Sequence, residues 1–481
     1  MSGSRVGSVA IAMLLCASNI TQHARGQGPP AQKPGEAQPQ RTFTLEQAVE
    51  FALRNYPAVR VALERLSAAR AGVGLAQTSY LPRADMLYQA NRATKNNSYG
   101  LLLPQPVISS ISGPVLPGTA NDSVWGSAAG VLVSWEPFDF GARAARVNVA
   151  RAGQDRANSE MALSQLDVAV ATANAYLTLL AAEQRVGAAK ANLDRRQVLA
   201  TSVHTLVDNQ LRPGADASRA DAELARARTD LARAEQAEAV SRAVLADILG
   251  IAGNSVSIVP GPLLDLPPET TPPPSPVSAH PFAAAQQTRV NEVRARERFL
   301  DRSYFPRFDF QTTVFGRGSG ANTDGSVQGG ASGLNLQRGN WASGLSISFP
   351  MLDIFSIRAE KSIEAANERA ETARYDQAIQ DLTGQLQQIQ AALEAARRIA
   401  QDTPAEVAAA RATESQSRAR YQAGLATIIE VAEAQSLLVQ AETDDVLARL
   451  AVWADLASLG AAEGDLGPFL QYVRQKTQGG P

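Results

Sequence analysis

The sequence has almost nothing with which to hold a soft metal or a redox centre: one cysteine, Cys16, and three histidines, His23, His204 and His280, scattered over 481 residues. Zinc and iron-sulfur chemistry needs clustered thiolates and imidazoles at short spacing, and is excluded. Aromatic residues make up only 5% of the chain although hydrophobic ones reach 45%. Wide globular cores, filled by large side chains, therefore give way to thin helical layers built from Ala, Gln, Glu, Arg and Leu. Neither sign of charge is in excess. With 45 basic against 47 acidic residues the formal net charge is -2, so there is no electrostatic case for nucleic acid as a partner. Beyond the N-terminus no apolar run is long enough for a transmembrane helix. The abundant carboxylates lack a neighbouring histidine for acid-base catalysis. Gly316-Arg317-Gly318-Ser319-Gly320 lacks the Lys-Ser or Lys-Thr of a phosphate loop. No enzyme, cofactor or metal site is expected.

What is present begins with an export signal. Arg5 precedes an apolar run from Val9 to Cys16, too short to span a bilayer but suited to the central region of a secretory signal. Ala24 and Gly26 supply small residues at spacing two, which places cleavage after Gly26 and makes 1–26 the signal peptide. A lipoprotein would instead keep Cys16 as its acylated first residue, but Leu15 stands where that processing requires a small side chain. Residues 27–41, rich in Pro, Gln and Gly, are expected to form a disordered leader.

The rest is two copies of one unit. Asn55-Tyr56-Pro57 and Tyr80-Leu81-Pro82-Arg83 recur as Ala279-His280-Pro281 and Tyr304-Phe305-Pro306-Arg307 at an offset of 224 residues. A second set recurs at an offset of 214: Asp139 with Asp353, Leu211 with Leu425, Asp216 with Glu430, Ala220 with Ala434. The change of offset puts a ten-residue deletion between Arg307 and Asp353, where a surface loop would accept it. The first repeat is read as 42–259 and the second as 281–465. A Pro-rich extended linker, 260–280, joins them and a tail, 466–481, follows.

Each copy reads as helix, hairpin, long helix, turn, returning helix. Thr44 as N-cap with Gln47 forms a capping box before a helix through Leu53, and Pro57 opens another to about Ser79. From Ala142 to about Gln210 there is no proline, and Val168, Ala175, Leu179, Ala182, Val186 and Ala189 recur at spacings built from three and four. Such a helix is about 100 Å long, beyond any globular domain. Residues 356–422 match it, although Thr403-Pro404 is expected to kink or interrupt the second copy. Turns at Leu211-Arg212-Pro213-Gly214 and Ala423-Gly424-Leu425-Ala426 lead to returning helices that end at Leu249 and about Leu459.

The hairpins, about 84–137 and 307–350, alternate instead. Phe308, Phe310, Thr312 and Val314 interleave with Asp309, Gln311 and Thr313, and Trp341, Leu345, Ile347 and Phe349 interleave with Ala342, Gly344, Ser346 and Ser348. The first copy does this more weakly at Met86, Tyr88, Val131, Val133 and Trp135. One such hairpin alone would read as part of a soluble sheet. Two, on an exported chain with helices too long for a globule, carry the signature of a membrane β-barrel, with Phe308, Phe310, Ile347 and Phe349 facing lipid. Four strands cannot close a barrel, and a membrane forbids an open edge, so protomers must pool strands. The expected fold is mainly α with a membrane β-barrel.

The order signal, Thr44-Leu45-Glu46-Gln47-Ala48-Val49 helix, Asn-Tyr-Pro, hairpin, long helix and Gly-containing turn, nearly repeated, resembles the outer membrane efflux protein family, the TolC-like channels. The segment Arg420-Tyr421-Gln422-Ala423-Gly424-Leu425-Ala426-Thr427-Ile428-Ile429-Glu430-Val431 carries the likeness furthest, matched by Leu211-Arg212-Pro213-Gly214-Ala215-Asp216. The resemblance implies a homotrimer whose α-helical barrel lies in the periplasm. It implies a shared 12-stranded barrel in outer membrane lipid, four strands per protomer, a periplasmic adaptor and an inner membrane transporter. On that reading the helix turns farthest from the barrel meet the adaptor, which singles out Leu211, Arg212, Gly214, Gly424, Leu425 and Thr427; the plainer alternative is that the glycines merely permit tight turns. Glu430 and Glu433 share a helix face, which the resemblance turns toward the pore at its periplasmic aperture, although both also suit an ordinary helix start. Asp216 and Tyr421 are implied as a closing hydrogen bond, while Ala426 stands where a closed family member carries Arg. The expected function is an exit channel for small molecules; protein secretion, or a structural coiled-coil scaffold, are the alternatives.

Overall fold

The structure, a computed structural model, describes residues 41–94, 118, 121–267, 276–322, 324 and 326–478. The expected signal peptide, the leader up to residue 40, most of the first hairpin's loop, the Pro-rich centre of the linker and the last three residues lie outside the described residues.

In chain order the elements are β1 (Arg41–Phe43), α1 (Leu45–Asn55), α2 (Pro57–Thr78), β2 (Arg83–Thr94), β3 (Ser123–Phe138), α3 (Ala142–Asp208), α4 (Gly214–Ile248), β4 (Val256–Ile258), α5 (Pro281–Arg302), β5 (Arg307–Ser319), β6 (Arg338–Ser348), α6 (Asp353–Gln422), α7 (Ile428–Glu463) and α8 (Gly467–Gln478). The leader is thus shorter than expected, because Arg41 already pairs with Val256 as β1 runs parallel to β4. Thr44 caps α1 as a full capping box: its Oγ1 accepts from the Gln47 N–H at 3.3 Å, and Gln47 Oε1 accepts from the Thr44 N–H at 3.1 Å.

The two long helices have 67 and 70 residues, about 100 Å each at 1.5 Å per residue. Along α3 the buried stripe is Val168, Thr172, Ala175, Leu179, Ala182 and Val186, the three-and-four spacing of a packed face. Each long helix lies against its returning partner, α3 with α4 and α6 with α7. The interruption expected as one outcome at Pro404 does not occur: α6 runs through it as one helix. A mid-helix proline costs about 3 kcal/mol, but here the turn is held from the side. Ala400 and Thr403 are buried, and the Thr403 hydroxyl donates to Asp445 of α7 at 3.0 Å.

Midway along the bundle a core gathers α1, the middle of α3, the ends of α4 and α7, and the β1–β4 pair. Tyr176 and Trp453 are fully buried there. The Tyr176 hydroxyl donates to the carbonyls of Val259, at 2.5 Å, and Phe43, at 3.2 Å, and burial pushes its phenol far above the ordinary range. One expectation fails at this core, and the tail, left without a structure by the sequence, acquires one. Part of the linker is packed rather than extended: Gly261–Leu264 forms a tight 3-10 turn, Leu263 is buried, and the Trp453 indole donates to the Asp265 carbonyl at 2.8 Å. The tail is helical, and α8 buries Phe469 and Val473, with Phe469 edge-on and Tyr472 tilted against Trp453. Gly464 makes that turn possible: it ends α7 at φ +83°, and a Cβ there would meet Pro281 Cδ at 2.6 Å.

The four long strands form one antiparallel sheet, ordered β2-β3-β5-β6. Its register puts Met86 opposite Val131, Val131 opposite Val314, Phe310 opposite Leu345 and Phe308 opposite Ile347. Met86, Tyr88, Val314, Trp341, Leu345 and Ile347 are exposed on this apolar face, whereas Gln311 and Thr313, on the other, are buried. Phe349 lies just past β6 and is exposed. At the sheet's junction with α3, Asp139 accepts from the N–H groups of Gly141 (3.1 Å) and Arg143 (2.6 Å) and pairs with the Arg143 guanidinium at 2.9 Å. That guanidinium in turn covers the Tyr80 ring at 5.0 Å.

Candidate functional site at the helical tips

The end of the bundle remote from the sheet is closed by two turns of the same construction. After α3, the N–H of Leu211 donates to the Leu206 carbonyl at 2.8 Å and that of Gln210 to the Val207 carbonyl at 2.9 Å. After α6, the N–H of Leu425 donates to Arg420 at 2.8 Å and that of Gly424 to Tyr421 at 3.0 Å. Both are Schellman turns, which need a left-handed residue: Gly424 takes it at φ +80° and Gln210 at φ +60°. Gly214 therefore has no turn to permit; it is the first residue of α4, in open space. In such turns the residue after the left-handed one usually folds back on the helix. Here Leu211 and Leu425 are 68% and 71% exposed.

Beneath the turns Leu199, Val203, Ala217, Ala220, Ile428 and Val431 surround Tyr421, which is 2% exposed, and Ala426. The Tyr421 hydroxyl lies 3.4 Å from Asp216 Oδ2, a long hydrogen bond. Burial first, and then the Asp216 charge, push the Tyr421 phenol upward against the opposing charge of Arg212. Arg212, expected at a docking surface, turns inward instead. Its guanidinium sits 4.4 Å over the Tyr421 ring and donates to the Tyr421 carbonyl at 2.6 Å. A cation is thus present at this contact from position 212, not from position 426.

Glu430 and Glu433 part company. Glu430 is the third residue of a capping box on Thr427: its Oε1 accepts from the Thr427 N–H at 3.1 Å, while Thr427 Oγ1 accepts from the Glu430 N–H at 3.3 Å. Its other oxygen lies 3.4 Å from Arg420. Glu433, one turn on, is exposed. Thr427 is likewise occupied by its cap, so of the six residues expected to dock a partner only the two leucines project freely.

Sequence reasoning missed the cross-ties above the tip. Arg196 of α3, 4% exposed, donates to the Ala432 carbonyl at 3.1 Å and to Ser436 Oγ at 2.9 Å on α7, with Glu223 of α4 at 3.8 Å. Burial lowers its pKa, with Glu223 opposing. Glu442 of α7 lies between Arg195 of α3, at 3.1 Å, and Arg411 of α6, at 3.3 Å. The partners of Arg195 and Arg196 on α7 are more than two hundred residues away in sequence, and no local pattern announces them.

His204 of α3 and Asp221 of α4 pair at 2.9 Å near the first turn. The hydrogen bond to Asp221, and then its charge, raise the imidazole above its ordinary 6.5. A raised pKa means that the pair's contribution is complete below pH 6.5 and is lost as pH rises through the higher folded value. In an NMR titration His204 should have its midpoint above 6.5, and Asp221→Asn should return it toward 6.5. Equal midpoints would remove the pair from the tip.

The family described as outer membrane efflux protein matches residues 48–251 and 279–465, one segment in each copy of the unit. Protein CyaE of Bordetella pertussis is 26% identical over 439 residues, covering 88% of this chain and 85% of its own length. Among solved structures, CusC superposes with a TM-score of 0.72 at 16% identity, over 91% of this chain and 99% of that one. The outer membrane protein VceC of Vibrio cholerae gives 0.68 at 18% identity, over 88% and 96%. At such identities the structures show the fold alone. With most of both repeats matched by one family, the chain belongs to the outer membrane efflux protein family.

Proposed function

We propose that three copies of this chain form a passive exit duct through the outer membrane. They would close a twelve-stranded barrel in lipid and an α-helical tunnel in the periplasm. One observation carries the reading: the sheet exposes an apolar face and, among the described residues, leaves the outer edges of β2 and β6 unpaired. A membrane tolerates neither an open edge nor fewer strands than a barrel needs. Pooling four strands from each of three protomers would satisfy both, and the trimer implied by resemblance to the family supports that number. No bond is made or broken. Small molecules handed over by an inner membrane transporter and its periplasmic adaptor diffuse through water, and control lies in the width of the tip.

Phe308, Phe310, Ile347 and Phe349 face lipid on this reading. A charge near the midplane costs roughly 2–4 kcal/mol, so Phe310→Arg should reduce heat-resistant trimers recovered from the outer membrane. Gln311 is buried, which makes it a poor control. Ser346, opposite Asp309 on the other face, is the better one, and Ser346→Arg should assemble normally. The reverse pattern would overturn the face assignment.

Leu211 and Leu425 are proposed as the adaptor's footing, because both point into solvent from matching turns. The Leu211→Asp, Leu425→Asp double variant should form trimers yet pull down several-fold less adaptor. Undiminished pull-down would place docking elsewhere.

Glu433 is proposed to line the aperture, three copies making one ring of carboxylates. Glu430 contributes less, its charge being held by Thr427 and Arg420. In planar bilayers Glu433→Gln should lower cation preference and block by trivalent cations, and Glu430→Gln should change them less. Selectivity that is the same in all three proteins would put this helix face outside the constriction.

A further inference from the structure

Just below the sheet, α3 and α5 of one chain enclose a groove of about 480 Å³. Its upper rim is Phe140, which stacks on Phe305 at 5.2 Å and lies 6.1 Å from Phe308 on the apolar face of the sheet. The rim of the groove is therefore continuous with the apolar face of the sheet. Three arginines line it, Arg302 at the top, Arg298 and Arg151. Arg298 lies one turn, about 6 Å, below Arg302 on α5. Among the described residues none of the three has an ion-pair partner; Arg151 reaches only Asn148, at 3.4 Å, and Arg302 covers the Phe305 ring at 6.0 Å. Two carboxylates share the groove. Asp301 is taken by Lys361 of α6 at 2.6 Å, and Asp155 lies a turn beyond Arg151, farther from the sheet. The top of the groove is thus cationic, open and rimmed by aromatic rings. Above it the sheet-to-helix junction exposes Phe349, Met351, Leu352 and Phe355.

We infer that this groove binds the phosphate of an anionic glycerophospholipid from the periplasm-facing leaflet. Arg298 and Arg302 hold the phosphate, and the acyl chains lie along Phe140 and the apolar face of the sheet. The inference rests on the proposed lipid exposure of that face. The chemistry is that of a basic pocket at a membrane interface: a guanidinium presents paired donors to phosphate oxygens, and the adjoining aromatic rings mark the boundary between chain and head group. Because the groove lies between helices of one chain, it needs no second copy to be complete. Position matters as much as charge. An arginine pair one turn apart at the foot of an apolar wall matches a ligand that has an anionic head and an apolar body, whereas a soluble phosphate has no use for the wall.

The full chain in nanodiscs of phosphatidylethanolamine with a minor fraction of phosphatidylglycerol tests this, with retained lipid read by native mass spectrometry after transfer to detergent. Wild type should retain phosphatidylglycerol selectively. Arg298→Gln, Arg302→Gln should insert equally well yet retain it less, by roughly fivefold for each arginine removed. Arg60→Gln, on α2 and away from the groove, should match wild type. Arg298→Lys, Arg302→Lys should retain more than the double glutamine variant, as a charge-driven site requires. Equal phosphatidylglycerol in wild type and the double glutamine variant would overturn the site. Displacement of the lipid by millimolar inorganic phosphate would also overturn it, by showing that the apolar wall adds nothing. A wild-type chain that failed to enter the nanodiscs at all would instead bring down the membrane reading on which the site rests.

Discussion

A helix about 100 Å long has no interior of its own, so α3 and α6 persist only through what packs along them. The rest of the molecule follows from that need. Their buried positions mix alanine with leucine, valine and a few larger or polar residues, and the alanines allow close approach of neighbouring helices. The returning helices supply the second wall, and the central core around Tyr176 and Trp453 pins the bundle midway. The same lateral support explains the proline in α6. A lone helix is prone to break at Pro404, but this one, whose neighbouring residues are buried and tied to α7, continues through it.

The bundle's two ends differ in what they expose. At one, a sheet turns its large apolar residues outward and buries polar ones such as Gln311 and Thr313. This inverts the usual order and fits a medium that is not water. At the other, two leucines stand in solvent over a cluster centred on Tyr421. Between the ends, ion pairs such as Arg294 with Glu368 at 2.6 Å and Arg242 with Glu183 at 3.3 Å cross from helix to helix. Pairs as exposed as these contribute at most about 1 kcal/mol each. Their greater effect is on register: a helix slipped by one turn along its neighbour would lose them all together.

Local signals in the sequence correspond to particular features of the structure. The Thr44 and Gln47 pair is a capping box because both partners lie within one helical turn, and the alternation from Phe308 to Val314 appears as a face because strand geometry has period two. The packing of the linker and of the tail is not legible locally, for the converse reason. Leu263 and Phe469 sit in apolar pieces too short to show a period, and only the Trp453 surface, about two hundred residues away from Leu263, makes them core. At the tip, Gly424 announces its turn, whereas Gln210 takes the same left-handed conformation without glycine's signal.

The sequence by itself determined what depends on neighbours within a turn or a strand: two copies of one unit, helices of great length, strands with one apolar face, and turns joining them. The three-dimensional arrangement decided which charges are free and which are spent. Arg212 was expected to face a partner and covers Tyr421; Glu430 was expected beside Glu433 and is held by Thr427 and Arg420; Arg196, unremarked in the sequence, ties three helices together. The physical reason is that a long charged side chain reaches several ångströms from its backbone. Its role is set by whichever acceptor, ring or carbonyl the packing of distant helices brings within that reach.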